Sequence, residues 1–299
     1  MELSLLNISL IALDRLSLAI IIGASAAFMW LLNERDARTL VQARLRMLLD
    51  GAFITLFIST ALVLLMRTAT MADVPLQEAL PFVQKVIEKS HFGSLWTGRA
   101  LALIVMISIW FFIRKKTPSL GFALLLSGSA IIAFYISAAS HAGDEGLFTL
   151  DSLINSTHII GGCLWGGSVI AYLIIITSLR QQGDAMHHII CRSADRLSTL
   201  ATVALALVIS SGLLNAWHRL ETIEELWQTD YGITLIIKLV FVAMMMAIGA
   251  SNRFIIIPAM TGKPATSRRF QRVLSLDAVL FITIICIAAA IGIQGPGEH

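Results

Sequence analysis

The chain has 299 residues, of which 57% are hydrophobic and only 14% charged, with a formal net charge of +3 and a mean hydropathy of +0.82. A soluble domain carries roughly a quarter charged residues, so a soluble globular protein is excluded and no nucleic-acid partner is expected. Period-2 alternation is absent, which argues against a transmembrane β-barrel.

The apolar residues come in runs of about 18–22, the length an α-helix needs to cross a hydrocarbon core. Spans are predicted at 13–32, 47–66, 94–113, 119–140, 156–178, 198–217, 232–252 and 273–293. Met1–Arg15 lacks the basic start and small-residue cleavage site of a signal peptide, so the first span is expected to be retained. Arg15 and Arg99, at the outer ends of spans one and three, are expected to reach lipid headgroups. Asp50 and Asp277, near the inner ends of spans two and eight, read either as a proton or ion path or as local partners of Arg46 and Arg272, and local pairing is the expectation. Two connecting stretches are amphipathic and read as short helices lying on the membrane surface or capping the bundle. They are 75–92 (Leu76, Leu80, Val83, Ile87) and 219–228 (Leu220, Ile223, Trp227).

The loops after spans one, three, five and seven carry 15 of the 22 Lys and Arg residues, whereas the opposite loops hold most of the acids. The positive-inside rule then places the basic loops in the cytoplasm and both termini outside. The prediction is an all-α integral membrane protein, a single domain over 1–299, built as a bundle of about eight transmembrane helices with lipid around it. Cys163 and Cys286 fall inside spans and Cys191 in an inner loop, so no external disulfide is expected.

On this topology His91, His141, His158, His218 and His299 gather at the external face, and His187–His188 lie on the internal one. A one-sided set of imidazoles near lipid needs a reason, and metal coordination is the leading one. Span five opens Ser156-Thr157-His158-Ile159-Ile160-Gly161-Gly162-Cys163-Leu164-Trp165-Gly166-Gly167. His158, Gly162, Trp165 and Gly166 share one helical face. Gly162 and Gly166 form a small-xxx-small pattern that admits a second helix, so His158 should point at protein. It reads either as a ligand or as a histidine hydrogen-bonded across an interface. His141 ends span four only 17 residues earlier, and the short connection should bring the two imidazoles to one end of neighbouring helices. His91 and His218 are possible auxiliaries. Two imidazoles suit Cu(II), Zn(II) or haem iron. Metal binding to imidazole should weaken as the pH falls through about 6–6.5.

The second half resembles the copper-resistance protein D family. The residues that carry the resemblance are His158 with Trp165-Gly166-Gly167, Arg196-Leu197-Ser198, Gly212-Leu213-Leu214-Asn215-Ala216-Trp217, and Tyr231-Gly232 followed by Lys238-Leu239, Asn252-Arg253 and Pro258. The match is firmest over about 137–260. It implies a bacterial inner-membrane protein, not an enzyme, that receives a copper ion from a periplasmic copper carrier protein and passes it inward. The expected metal ligands are His141 and His158, with His91 and His218 assisting. Where relatives place a histidine after the first-span arginine, this chain reads Asp14-Arg15-Leu16. Two other readings stay open: a membrane cytochrome holding haem b on the same histidines, and a docking platform for a periplasmic copper protein.

Overall fold

A computed structural model describes residues 2–114, 118–140, 148–219, 222–261 and 266–293. Among them there is no strand. The helices are α1 (Glu2–Trp30), α2 (Arg35–Ala72), α3 (Val83–Lys89), α4 (His91–Ile113), α5 (Pro118–Ala138), α6 (Leu150–Arg180), α7 (His187–Arg219), α8 (Glu225–Gln228), α9 (Asp230–Ser251), α10 (Ile257–Met260) and α11 (Thr266–Ile291). A π-helical segment, Asn252–Ile256, joins α9 to α10. Eight segments are long and apolar enough to cross a membrane, with α9 through α10 counting as one.

The central helix is α1, packed by α2, α5, α6 and α11. Leu18, Ala19, Ile21, Ile22, Ala24, Ala27 and Phe28 are all buried, so the second half of this helix is covered on nearly every side, as one enclosed by other helices must be. Its tightest neighbour is α6. A Cβ on Gly23 would stand 1.9 Å from the Gly167 carbonyl carbon, and one on Gly167 would stand 1.9 Å from the Ala19 carbonyl oxygen. The two backbones are therefore in contact, which only glycine permits. At the other extreme, α9 buries only Tyr231, Gly232 and Met245 and leans on α8 and α11, while α7 packs chiefly on α6.

Several helices extend beyond their predicted spans. Thus α2 begins at Arg35 rather than near 47 because Ala37, Val41, Leu45 and Leu49 recur every fourth residue and are all fully buried. The stripe extends the helix past the hydrocarbon, and a hydropathy window responds only to the lipid-length run. The 75–92 stretch is two 3₁₀ turns, Leu76–Glu78 and Leu80–Phe82, followed by α3. Pro75 and Pro81 break the expected continuous helix. Its inward residues are Ala79 and Val86, and Leu80 is exposed. In 219–228, apart from Arg219, which ends α7, only Glu225–Gln228 is helical among the described residues.

Arginines stitch the basic-loop end together. Arg114 pairs with both carboxylate oxygens of Asp50 at 2.5 Å, and Trp110 donates to the same group at 3.0 Å. Asp50 is thus paired, but with a helix 60 residues away rather than with Arg46, which donates instead to the Arg114 carbonyl oxygen. Arg38 and Arg196 donate to the carbonyl oxygens of Leu32 and Leu31, the residues that close α1. Asp277 does not follow expectation either: it is 3% exposed, and its Oδ1 has no hydrogen-bond partner.

A buried charge network at the histidine end

Arg99 does not reach headgroups. It is buried, and its Nη2 donates to Asp14 Oδ1 at 2.5 Å and to Thr60 Oγ1 at 3.0 Å. Ser59 donates to the same Asp14 oxygen at 2.9 Å, and Arg15 Nη1 lies 3.9 Å from Asp14 Oδ2. The network joins α1, α2 and α4. The expectation that Arg99 reaches headgroups fails because spacing along the chain does not fix the direction in which a side chain faces, and this one turns inward to an interhelical ion pair.

Candidate functional site

Three helices at the histidine end open on a hydroxyl cap, which sets the register of the residues behind it. Ser90 Oγ accepts from Gly93 N at 2.9 Å at the start of α4, Thr149 Oγ1 from Ser152 N at 3.1 Å at the start of α6, and Thr229 Oγ1 from Gly232 N at 3.0 Å at the start of α9. His91 follows the first of these caps directly, and His158 lies nine residues beyond the second.

His158 faces α7, as expected of a residue pointing at protein. Its Nδ1 is 3.1 Å from the Val208 carbonyl oxygen and 3.2 Å from Ser211 Oγ. A carbonyl only accepts, so Nδ1 carries the proton in that bond and the lone pair resides on Nε2. This is how a ligating imidazole is oriented by its surroundings. The room comes from Gly212, where a Cβ would meet the imidazole Cε1 at 3.1 Å, and from Gly161, which faces Leu207 and Val208. The expected small-residue pair serves otherwise: a Cβ on Gly162 would meet nothing within 4 Å, and Gly166 seats the Phe281 ring of α11.

Gly212→Val is therefore expected to push the imidazole off its carbonyl. Metal titration of the purified variant should show affinity falling by about tenfold, the value of one orienting contact to a ligand, with the helix content unchanged in circular dichroism. Unaltered affinity would mean that this cradle does not position His158.

His218, near the end of α7, is partly exposed and has its Nδ1 2.5 Å from Asp151 Oδ1 at the start of α6. The Asp151–His218 and His158–Ser211 contacts are seven residues apart on both helices, in one antiparallel register. Seven residues rise about 10 Å, so His158 and His218 stand at different levels and cannot both bind one ion at about 2 Å. His91 is exposed on α4, a helix that packs on α2, α3 and α5, away from the α6–α7 seam. His141 and His299 lie outside the described residues. The residue before His141 is placed, however: Ser140 Oγ accepts from Asn155 Nδ2 at 3.3 Å, and Asn155 is one helical turn from His158.

Among the described residues no group of three or more His, Cys, Asp or Glu side chains converges on one point. All three cysteines are free. His187, one of the two histidines expected on the internal face, is half-buried, with Nε2 2.9 Å from the Met260 carbonyl oxygen and 3.5 Å from Cys191 Sγ. It ties the start of α7 to α10. An i, i+4 His–Cys spacing at a helix start was the available signal.

Two family descriptions match the sequence. "Copper resistance protein D-like, N-terminal domain" covers residues 2–150, and "Copper resistance protein D" covers 191–291. The likeness thus reaches well beyond the 137–260 segment, while His158 falls between the two matched stretches. Among curated relatives, "Copper resistance protein D" of Pseudomonas syringae pv. tomato is 24% identical over 82% of this chain and 82% of its own length. "Copper transport protein CutJ" of Bacillus subtilis is 23% identical over 69% of this chain but only 39% of its own length. "Inner membrane protein YebZ" of Escherichia coli is 23% identical over 82% of both. No solved structure matches.

Proposed function

Because the chain belongs to the copper-resistance protein D family of multi-pass inner-membrane proteins, we propose that it takes up copper at the histidine end of its bundle, with His158 as the anchoring ligand. The observation that supports this reading most is the Nδ1 bond of His158 to the Val208 carbonyl, which puts the proton on Nδ1 and the lone pair on Nε2, the atom that would coordinate. His141 is the second ligand, supported by the Ser140–Asn155 bond one turn away. The Asp151–His218 pair two turns above is a separate first contact for the arriving ion, and His91 has no part in the same coordination shell.

On this reading the acidic, histidine-bearing end faces the periplasm, in keeping with the basic loops on the other side. A periplasmic copper carrier delivers the ion there, and the protein passes it inward. The relatives named for copper resistance and copper transport support copper as the cargo. His158→Ala and His141→Ala are each expected to remove copper from the purified protein, measured by metal analysis, while His91→Ala leaves it unchanged. Copper stoichiometry equal to wild type in both of the first two variants sinks the site. A Soret absorption band in the purified protein would replace copper with haem. Uptake of radioactive copper into vesicles of known orientation tests the inward direction.

A further inference from the structure

A cavity of about 310 Å³ lies between α7 and the α9–α10 segment, with α6 and α11 forming its floor. Its walls are largely apolar, but two polar residues from different helical segments are among those that line it. Asp277 of α11 is 3% exposed and Asn252, at the start of the π segment, is 6% exposed. The Oδ1 atom of each is buried without a hydrogen-bond partner. Both residues line one low-dielectric space, and a carboxyl group there must either hold a proton or find a positive partner, because a buried unpaired charge costs several kcal/mol.

The nearby cation does not supply it. Arg253 lines the same cavity, yet its Nη1 is held 3.2 Å from Ser198 Oγ and 3.2 Å from Thr202 Oγ1 of α7. Among the described residues no ion pair joins it to Asp277. The backbone is irregular at this point as well. π-Helical turns are frequent at functional sites, and interrupted membrane helices use freed carbonyls to coordinate ions. Pro258 has no N–H to give to a carbonyl one turn back, and it stands directly after this irregular turn.

We propose that this cavity is an inner site for one monovalent metal cation, coordinated by the Asp277 carboxylate and the Asn252 amide oxygen. A single carboxylate neutralises a single charge. A divalent ion would keep a net charge among apolar walls and normally recruits more carboxylates and water. The ion has two possible sources: an alkali ion coupled to transport, or the cuprous form of the cargo, for which the thioether of Met246 in the same wall is a suitable soft donor.

The test uses the full-length protein in detergent with His141 and His158 both replaced by alanine, so the outer site cannot contribute and its failure is read separately. Radioactive sodium and silver(I), a redox-stable stand-in for copper(I), are titrated in turn. Binding of one of them at one ion per chain is expected, and Asp277→Asn should weaken it by about tenfold or more, as loss of a charged ligand does. Asn252→Leu, which leaves the carboxylate in place, should weaken it too and covers the case in which the first variant fails to fold. Loss of silver binding in Met246→Leu identifies the cuprous source. Sodium binding that survives Met246→Leu identifies the alkali ion. The proposal is overturned if neither ion binds stoichiometrically, or if binding is unchanged in both Asp277→Asn and Asn252→Leu.

Discussion

Asp14→Ala is expected to destabilise the bundle by about 3–5 kcal/mol, the cost of leaving one partner of a buried ion pair uncompensated. The guanidinium of Arg99 would then lie at 8% exposure with only Thr60 to accept from it, and its Nε already has no partner. Arg99→Ala should cost a comparable amount by stranding the Asp14 carboxylate, although Ser59 and the more distant Arg15 soften that loss. Removing both charges, as in Asp14→Leu with Arg99→Met, should recover most of the stability, because buried ion pairs rarely gain much over well-packed apolar residues. Thermal unfolding in detergent, followed by size-exclusion chromatography with fluorescence detection, measures all three. Single variants as stable as wild type would mean that water reaches the pair and screens it.

The second large effect concerns the α1–α6 seam. Gly167→Ala would place a methyl group 1.9 Å from the Ala19 carbonyl oxygen, and Gly23→Ala would place one 1.9 Å from the Gly167 carbonyl carbon. Overpacking typically costs about 1–3 kcal/mol when side chains can move aside. Here the obstacle is backbone, so the two central helices must separate, and the cost should exceed that range. Gly162→Ala, five residues earlier on α6, meets nothing within 4 Å. It should be neutral or mildly stabilising, since alanine is about 1 kcal/mol better than glycine inside a helix. The contrast separates close packing from a general intolerance of substitution in this stretch. Equal losses in Gly162→Ala and Gly167→Ala, read as folded yield and unfolding temperature, would contradict the seam.

The proposed copper site follows a different logic. His158 and His218 are both histidines near the end of a span, the one expected as a principal ligand and the other as an auxiliary. Their contacts separate them: one ring is set by a carbonyl and a hydroxyl inside the α6–α7 seam, the other by an exposed carboxylate two turns higher. Interfering with the cradle of His158 should therefore change affinity, whereas interfering with Asp151 should act on how copper first arrives.

The sequence alone determined the membrane class, the eight spans and the segregation of basic loops, because each depends on composition over a length set by the bilayer. It also pointed His158 at protein through the small residues on its helical face, although Gly161 and Gly212, not Gly162 and Gly166, make the room. The tertiary structure decided what periodicity cannot: how each helix is rotated against its neighbours. Rotation made Gly167 rather than Gly162 the contact glycine, and turned Arg99 inward to Asp14. It paired Asp50 with Arg114 across 64 residues, and left Asp277 and Asn252 lining one cavity. Hydropathy measures the transfer of a segment into lipid and is blind to azimuth. Interhelical packing and buried polar pairing depend on azimuth above all, so those features emerged only once the helices were assembled.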